Sequence, residues 1–290
     1  MYSANFDYHR ARSLADVHRL LAANPGAKLL AGGHSLIPLM KLRLAAPPAV
    51  VDIGRIPELR GISRSGDTIR IGALTTHADI AASADVQKAA TALAEAAGMI
   101  GDPAVRSRGT IGGNIAHADP ASDLPTVLVA LDARIVVVGP SGERTIAADG
   151  FFTGIMTTTL ADNEVLTAIA VPVAARGQGS AYVKFSHPAS RYAVIGVAAS
   201  VTSASNQCSS ARIALGGLVP HARRAAAVEK ALVGKALDGA AIAAAAGQVG
   251  SDLGGEVSGD IFASASYRKA VAPVYVKRAI AAAAARAGLA

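Results

Sequence analysis

Two glycine pairs constrain this chain most. Gly32 and Gly33 lie in AGGHS, Ala31 to Ser35, and Gly112 and Gly113 lie in TIGGN, Thr110 to Asn114. Each pair follows a short lead-in and opens toward a helix-like run. With no Cβ in the way, successive backbone N–H groups there converge on an anion. Two such segments point to an extended ligand with a diphosphate, and a dinucleotide-type cofactor meets that description. One glycine pair alone says little, because turns use Gly–Gly freely. GGHS gains weight from its place between a strand and a helical turn that Ser35 is expected to cap. Neither segment matches G-x-G-x-x-G, and G-x-x-x-x-G-K-[ST] is absent. An ordinary nicotinamide dehydrogenase or P-loop nucleotidase is therefore disfavoured.

The chain has 290 residues and a single cysteine, Cys208. That excludes an internal disulfide, a cysteine-built zinc site and an iron–sulfur cluster held by this chain alone. Lys and Arg number 28 against 21 Asp and Glu, a formal charge of +7. The basic residues are scattered, and no aromatic side chains alternate with them as a nucleic-acid platform requires. The surplus reads as solubility plus attraction for an acidic cofactor or subunit partner. The start, MYSANFDYHRARS, lacks a signal core, and no long uncharged apolar run follows. The expectation is a cytoplasmic protein with no membrane span. The seven histidines form no H-x-x-x-H pattern. No metal site and no nucleophile–base pair emerge, so no side chain is assigned a catalytic role.

Periodicity places a helix over 14–23, a strand over 28–31, a helical turn over 36–44 and a strand over 50–53. A strand at 68–71 precedes helices near 78–82 and 86–98, a polar turn at 102–108 and the TIGGN loop. A helix over 125–132, a strand over 134–139, a hairpin from Gly142 and a strand over 164–172 follow. AARGQGS, Ala174 to Ser180, shifts composition and marks the domain boundary. Beyond it, strands at 181–186, 193–202 and 210–216 alternate as an antiparallel set. Helices are expected near 221–233 and 239–249, and Ser266 is expected to cap a last one reaching 287, kinked at Pro273.

The segments KLLAGGHSLIPLMKLRLAAPPAVVDIGRIPELRGI (Lys28 to Ile62) and RGTIGGNIAHADPASDLPTVLVALDARIVV (Arg108 to Val137) resemble the FAD-binding medium subunits of molybdenum hydroxylases, the carbon monoxide dehydrogenase type above all. EVLTAIAVP, YVKFSHPASRYAVIGVAA and SYRKAVAPVYVKRAIAAAAARA extend the likeness over nearly the whole chain. The resemblance implies an α+β protein. Residues 1–175 would form a two-subdomain FAD-binding domain (PCMH-type, as in the vanillyl-alcohol oxidase-like flavoproteins), divided near 57. A smaller α+β domain with an antiparallel sheet and helices would occupy 176–290.

It also implies a site. Lys28, Leu29, Leu30, Ala31, Gly32, Gly33, His34 and Ser35 would cradle the FAD pyrophosphate, and Thr110, Ile111, Gly112, Gly113 and Asn114 would close on its other side. Gly101 belongs to the same set. Asp123 would lie near the adenosine end, although ASDLP also reads as a helix cap. Leu160 and Leu166 match positions whose backbone lines the isoalloxazine ring; otherwise they are core residues. Lys184 matches a lysine near the flavin, where a cation would stabilise the anionic reduced ring. Tyr192 would pack on the flavin from the second domain.

By the same resemblance, a large subunit oxidises substrate at a molybdopterin cytosine dinucleotide centre. A small subunit with two [2Fe-2S] clusters passes the electrons to FAD on this chain. The flavin returns them to an external acceptor such as a quinone, in a dimer of heterotrimers that can lie at the inner face of the membrane. Relatives act on xanthine, N-heterocycles or aldehydes. A flavin-free assembly scaffold of the same shape is the alternative from a different class.

Overall fold

The computed structural model describes residues 2–288. It is α+β and built around three main sheets. The first comprises β1 (Asp7–Arg10), α1 (Leu14–Ala23), β2 (Lys28–Leu30), α2 (Leu36–Lys41) and β3 (Ala49–Asp52). Its strands run parallel in the order β1-β3-β2. Central β3 reads AVVD with its first three residues buried, the continuous apolar run that a strand covered on both faces requires. Ser13 Oγ accepts from Asp16 N to start α1.

The second part holds β4 (Ile62–Ser65), β5 (Thr68–Gly72), α3 (His77–Ala82), α4 (Ala84–Ala89), α5 (Thr91–Met99), α6 (Pro103–Arg106), α7 (Ile111–His117) and α8 (Asp123–Ala130). It continues through β6 (Arg134–Gly139), β7 (Gly142–Ala147), the small pair β8 (Phe152–Gly154) and β9 (Thr157–Thr158), and β10 (Val165–Pro172). Five strands form an antiparallel sheet ordered β4-β5-β10-β6-β7. The single helix expected over 86–98 is two, because Ala89 O accepts from Ala174 N at 2.9 Å and Ala90 leaves helical geometry. A distant strand end thus captures a carbonyl that would have continued the helix.

The third part contains β11 (Gln178–Ser186), β12 (Ala193–Ala204), β13 (Gln207–Gly216), β14 (Arg223–Arg224), α9 (Ala226–Leu232), α10 (Gly239–Ala246), α11 (Val249–Leu253) and α12 (Ala265–Arg286). The four strands form an antiparallel sheet in sequence order. Pairing of Arg223 and Arg224 with Leu215 and Ala214 shortens the helix expected from residue 221. Ser264, not Ser266, caps α12: its Oγ accepts from Tyr267 N at 3.2 Å. The helix runs on through Pro273.

Alternation along β11 and β12 explains how this sheet is covered. Tyr182 and Ala198 point into one core, shared with α5 and α8, while Ala181, Val197 and Ala199 point into another, shared with α12. Successive side chains of a strand face opposite sides, so the sheet is sandwiched between the preceding part and its own helices. Ion pairs cross that boundary with one polarity. Lys184, Arg212, Arg224 and Arg286 supply the cations, and Asp123, Asp132, Asp149 and Glu95 supply the anions.

Candidate functional site

The two glycine segments, far apart in sequence, touch in space. A Cβ on Gly32 would stand 2.2 Å from the Arg108 carbonyl oxygen, and one on Gly113 would stand 3.8 Å from the Ala31 Cβ. Their chemistry differs, however. Among the described residues, the backbone N–H groups of Gly32, Gly33, His34 and Ser35 meet no protein acceptor. His34 Nδ1 lies 3.0 Å from the Gly32 carbonyl oxygen, so its ring folds back and leaves the N–H face open. Gly33 adopts a left-handed φ of 77° that few other residues tolerate.

TIGGN is not an open loop. Thr110 is the N-cap of α7, and the glycines stand in its first turn. Ile111 N donates to Thr75 O, Gly112 N to Ala73 O, and Gly113 N to Thr110 Oγ1 at 3.2 Å. These donors are already spent, which corrects the expectation of two equivalent anion nests. Gly112 is glycine because a Cβ would sit 2.5 Å from that of Ala73. Ser35 is corrected as well: it holds the N-cap position of α2 but makes no side-chain capping bond.

A cleft of about 300 Å³ lies between the first two parts, lined by Leu30, Ala31, Gly32, Thr110 and four arginines, Arg10, Arg55, Arg60 and Arg108. Asp52 also lines it, but its carboxylate accepts from Tyr8 Oη at 2.5 Å and from Gly54 N at 2.8 Å. Arg60 is held on the Gly54 carbonyl at 2.6 Å. Among the described residues, Arg55 and Arg108 pair with no acid. Free donors beside free guanidinium groups suit a diphosphate. Sequence reading counted these arginines as scattered; only folding collects them.

Around the cleft, Lys28 is exposed at the start of β2, and Leu29 packs against a separate small core that includes Val17, Val51 and Ile56. Gly101 has a φ of 47° in the turn before α6. Asn114 Oδ1 accepts from Ser122 Oγ at 2.7 Å, tying α7 to the start of α8. His77 is 97% buried behind Gly109, by its 3% exposure, with no partner for Nδ1. Burial, helped by the charges of His34 and Arg106, pulls its pKa down to about 4.

Asp123, Lys184 and Tyr192 form a second cluster. Neither Ser122 nor Asp123 makes a side-chain cap at α8. Asp123 Oδ1 instead accepts from Tyr182 Oη at 2.5 Å, and Oδ2 accepts from Lys184 Nζ at 2.8 Å. Burial pushes this carboxyl up, while Lys184 and Tyr182 oppose the shift. Lys184 Nζ also donates to Met99 O at 3.0 Å and to Arg191 O at 2.8 Å. An ammonium has three protons, so Lys184 has none left for a ligand. Lys184, the lysine expected near a flavin ring, thus has its ammonium fully paired within the protein. Tyr192, 43% exposed, stands near Asp119 and Asp123. Leu166 is buried on β10 opposite Val137, and Leu160 packs on the same core. Tyr182 and the four cleft arginines are the residues that sequence reading missed.

Comparison with known proteins identifies the family. Residues 4–174 match the FAD binding domain in molybdopterin dehydrogenase, and residues 180–283 match the CO dehydrogenase flavoprotein C-terminal domain. The chain is 45% identical to the carbon monoxide dehydrogenase medium chain of Hydrogenophaga pseudoflava, covering 99% of each. It is 38% identical to the glyceraldehyde dehydrogenase medium chain of Sulfolobus acidocaldarius, covering 96% of this chain and 98% of that one. The structure of the Hydrogenophaga pseudoflava carbon monoxide dehydrogenase lacking the Mo-pyranopterin moiety superposes with a TM-score of 0.95 over 99% of each chain, at 46% identity. The chain belongs to the FAD-binding subunit family of the molybdopterin dehydrogenases.

Proposed function

We propose that this chain is the FAD-binding electron-transfer subunit of a molybdenum dehydrogenase of the carbon monoxide dehydrogenase type. The open N–H groups of Gly32 to Ser35, beside the unpaired Arg55 and Arg108, carry the reading. They fit the diphosphate of FAD, with Lys28 to Ala31 presenting the loop and Thr110 to Asn114 forming the opposite wall. Gly101, Asp123, Leu160, Leu166, Lys184 and Tyr192 complete the cofactor region. We place the domain boundary between residues 175 and 176, with a subdomain division near 57.

A bound flavin accepts electrons singly and releases them in pairs. The chain's own residues bind and shape. The loop N–H groups and arginines neutralise the diphosphate, while Lys184 holds the Asp123 carboxylate and the Arg191 carbonyl in fixed positions. Cys208, the sole cysteine, is buried, so clusters must come from another chain. A large subunit with molybdopterin cytosine dinucleotide and a small subunit with two [2Fe-2S] clusters complete a dimer of heterotrimers. It works in the cytoplasm, at times against the inner face of the membrane, with a quinone as acceptor.

The nearness to a glyceraldehyde dehydrogenase medium chain favours an aldehyde-oxidising complex as the second reading. The test is purification from the native host, with release and mass identification of the flavin and identification of co-purifying chains. Anaerobic bleaching of the flavin band is then followed under carbon monoxide and with aldehydes. FAD at about one per chain, bleached by carbon monoxide through its partners, supports the proposal. Bleaching by aldehyde alone supports the second reading, and partners without flavin leave an assembly scaffold.

A further inference from the structure

We infer that His77 is a positioning residue that sets Arg108 against the cofactor's diphosphate, and that a proton on its ring releases this hold. The inference rests on the electron-transfer reading above. Thr76, the N-cap of α3, bridges to Thr110 in antiparallel fashion. His77 N donates to the Gly109 carbonyl at 3.0 Å, and Ile111 N donates to Thr75 O at 3.0 Å. A Cβ on Gly109 would stand 2.8 Å from both Cδ2 and Nε2 of the His77 ring, so only glycine lets the ring lie this close. On the cleft side, a Cβ on Gly32 would stand 2.2 Å from the Arg108 carbonyl oxygen and 3.1 Å from the Gly109 Cα. Ring, wall and GGHS loop are therefore in successive contact, and close packing passes a shift of the ring on to Arg108.

The surroundings of the ring do not accommodate a charge. His77 is buried, and its Nδ1 has no partner. The charged groups acting on it are His34 and Arg106, and both repel a cation. Helices α4, α5 and α6 pack against α3, and the acids on all four are engaged elsewhere or exposed. Asp79 of α3 accepts from the Thr76 hydroxyl, and Asp102, the N-cap of α6, accepts from Val105 N. Glu95 of α5 pairs with Arg286, while Asp85 and Lys88 of α4 are exposed. A proton on His77 is thus an unpaired buried charge, and its cost drives the ring outward. Gly109 moves with the ring, and Arg108 loses its place beside the diphosphate.

Release of FAD from the intact native complex, followed by free-flavin fluorescence with circular dichroism as a check on folding, tests this. Release is expected to be about tenfold or more faster at about pH 4.5 than at about pH 7. His77→Phe keeps a packed ring that cannot gain a proton and should abolish that acceleration; His77→Gln serves the same purpose if the phenyl variant misfolds. At about pH 7, His77→Ala should speed release about tenfold, and that effect should vanish in an Arg108→Gln background, because both act through one contact. A purely structural role would leave the two losses additive. The inference is overturned by a wild type without acid acceleration, by acceleration that persists in the non-titrating variants, or by an alanine effect undiminished without Arg108. A wild-type complex without flavin would instead strike the electron-transfer reading. ADP, which carries the same diphosphate, then takes the place of FAD in the same pH profile, and absent or pH-independent ADP binding overturns the inference.

Discussion

Lys184→Met removes a cation that is enclosed on every side. The Lys184 side chain is 0% exposed and that of Asp123 is 5% exposed. The substitution leaves the Asp123 carboxylate with only Tyr182 as a side-chain donor, and it strips a donor from the Met99 and Arg191 carbonyls. Breaking a buried pair from one side costs about 3–5 kcal/mol, a large share of a typical folding free energy of about 5–15 kcal/mol. The pH dependence has a definite sign. Without Lys184, burial drives the Asp123 carboxyl still higher, so the folded variant favours the protonated acid. Its contribution is present below the unfolded carboxylate range and is lost as pH rises through the folded value. Urea melts of the wild type, Lys184→Met, Asp123→Asn and the double variant, at about pH 5 and about pH 8, measure both effects. The single lysine variant should be weakest at the higher pH, and the double variant should regain most of the loss. A loss under about 1 kcal/mol, flat with pH, would refute the buried-pair argument.

His77 gives the opposite pH window. Its folded pKa of about 4 lies below the ordinary histidine value, so stability present above about 6.5 is lost as pH falls toward about 4, by about 3 kcal/mol. His77→Gln should flatten that part of the stability profile, and an unchanged slope would assign it to other groups. Gly32→Ala drives a Cβ against the Arg108 carbonyl. It should cost about 1–3 kcal/mol in a thermal melt and release FAD on gel filtration; full flavin retention would count against the cleft. Ser35→Ala, which loses no cap, should change stability by less than about 0.5 kcal/mol, whereas Thr110→Ala should cost about 1 kcal/mol. Equal losses in the two denaturation curves would contradict the asymmetry between the segments.

Local chemistry was legible where neighbours in sequence settle it. Ser13 capped α1 where its hydroxyl precedes an apolar helical stripe, and strand β6 has the bounds expected of RIVVVG. The misplacements came from distant partners. Ala174 divided one helix, Leu215 and Ala214 drew Arg223 and Arg224 into a strand, and Ala73 and Thr75 took the N–H groups of TIGGN.

Sequence by itself determined the family, the glycine-paired segments and the lack of cysteines for clusters, because each depends on residue identity and order. Tertiary structure alone decided which donors remain free. GGHS keeps its N–H groups open because its neighbours supply no acceptor, whereas Thr75 O and Ala73 O lie against α7. It also decided that Lys184 is a clasp, since three acceptors from separate parts of the chain converge on one ammonium. A hydrogen bond belongs to two groups at once, and the second group is rarely nearby in sequence.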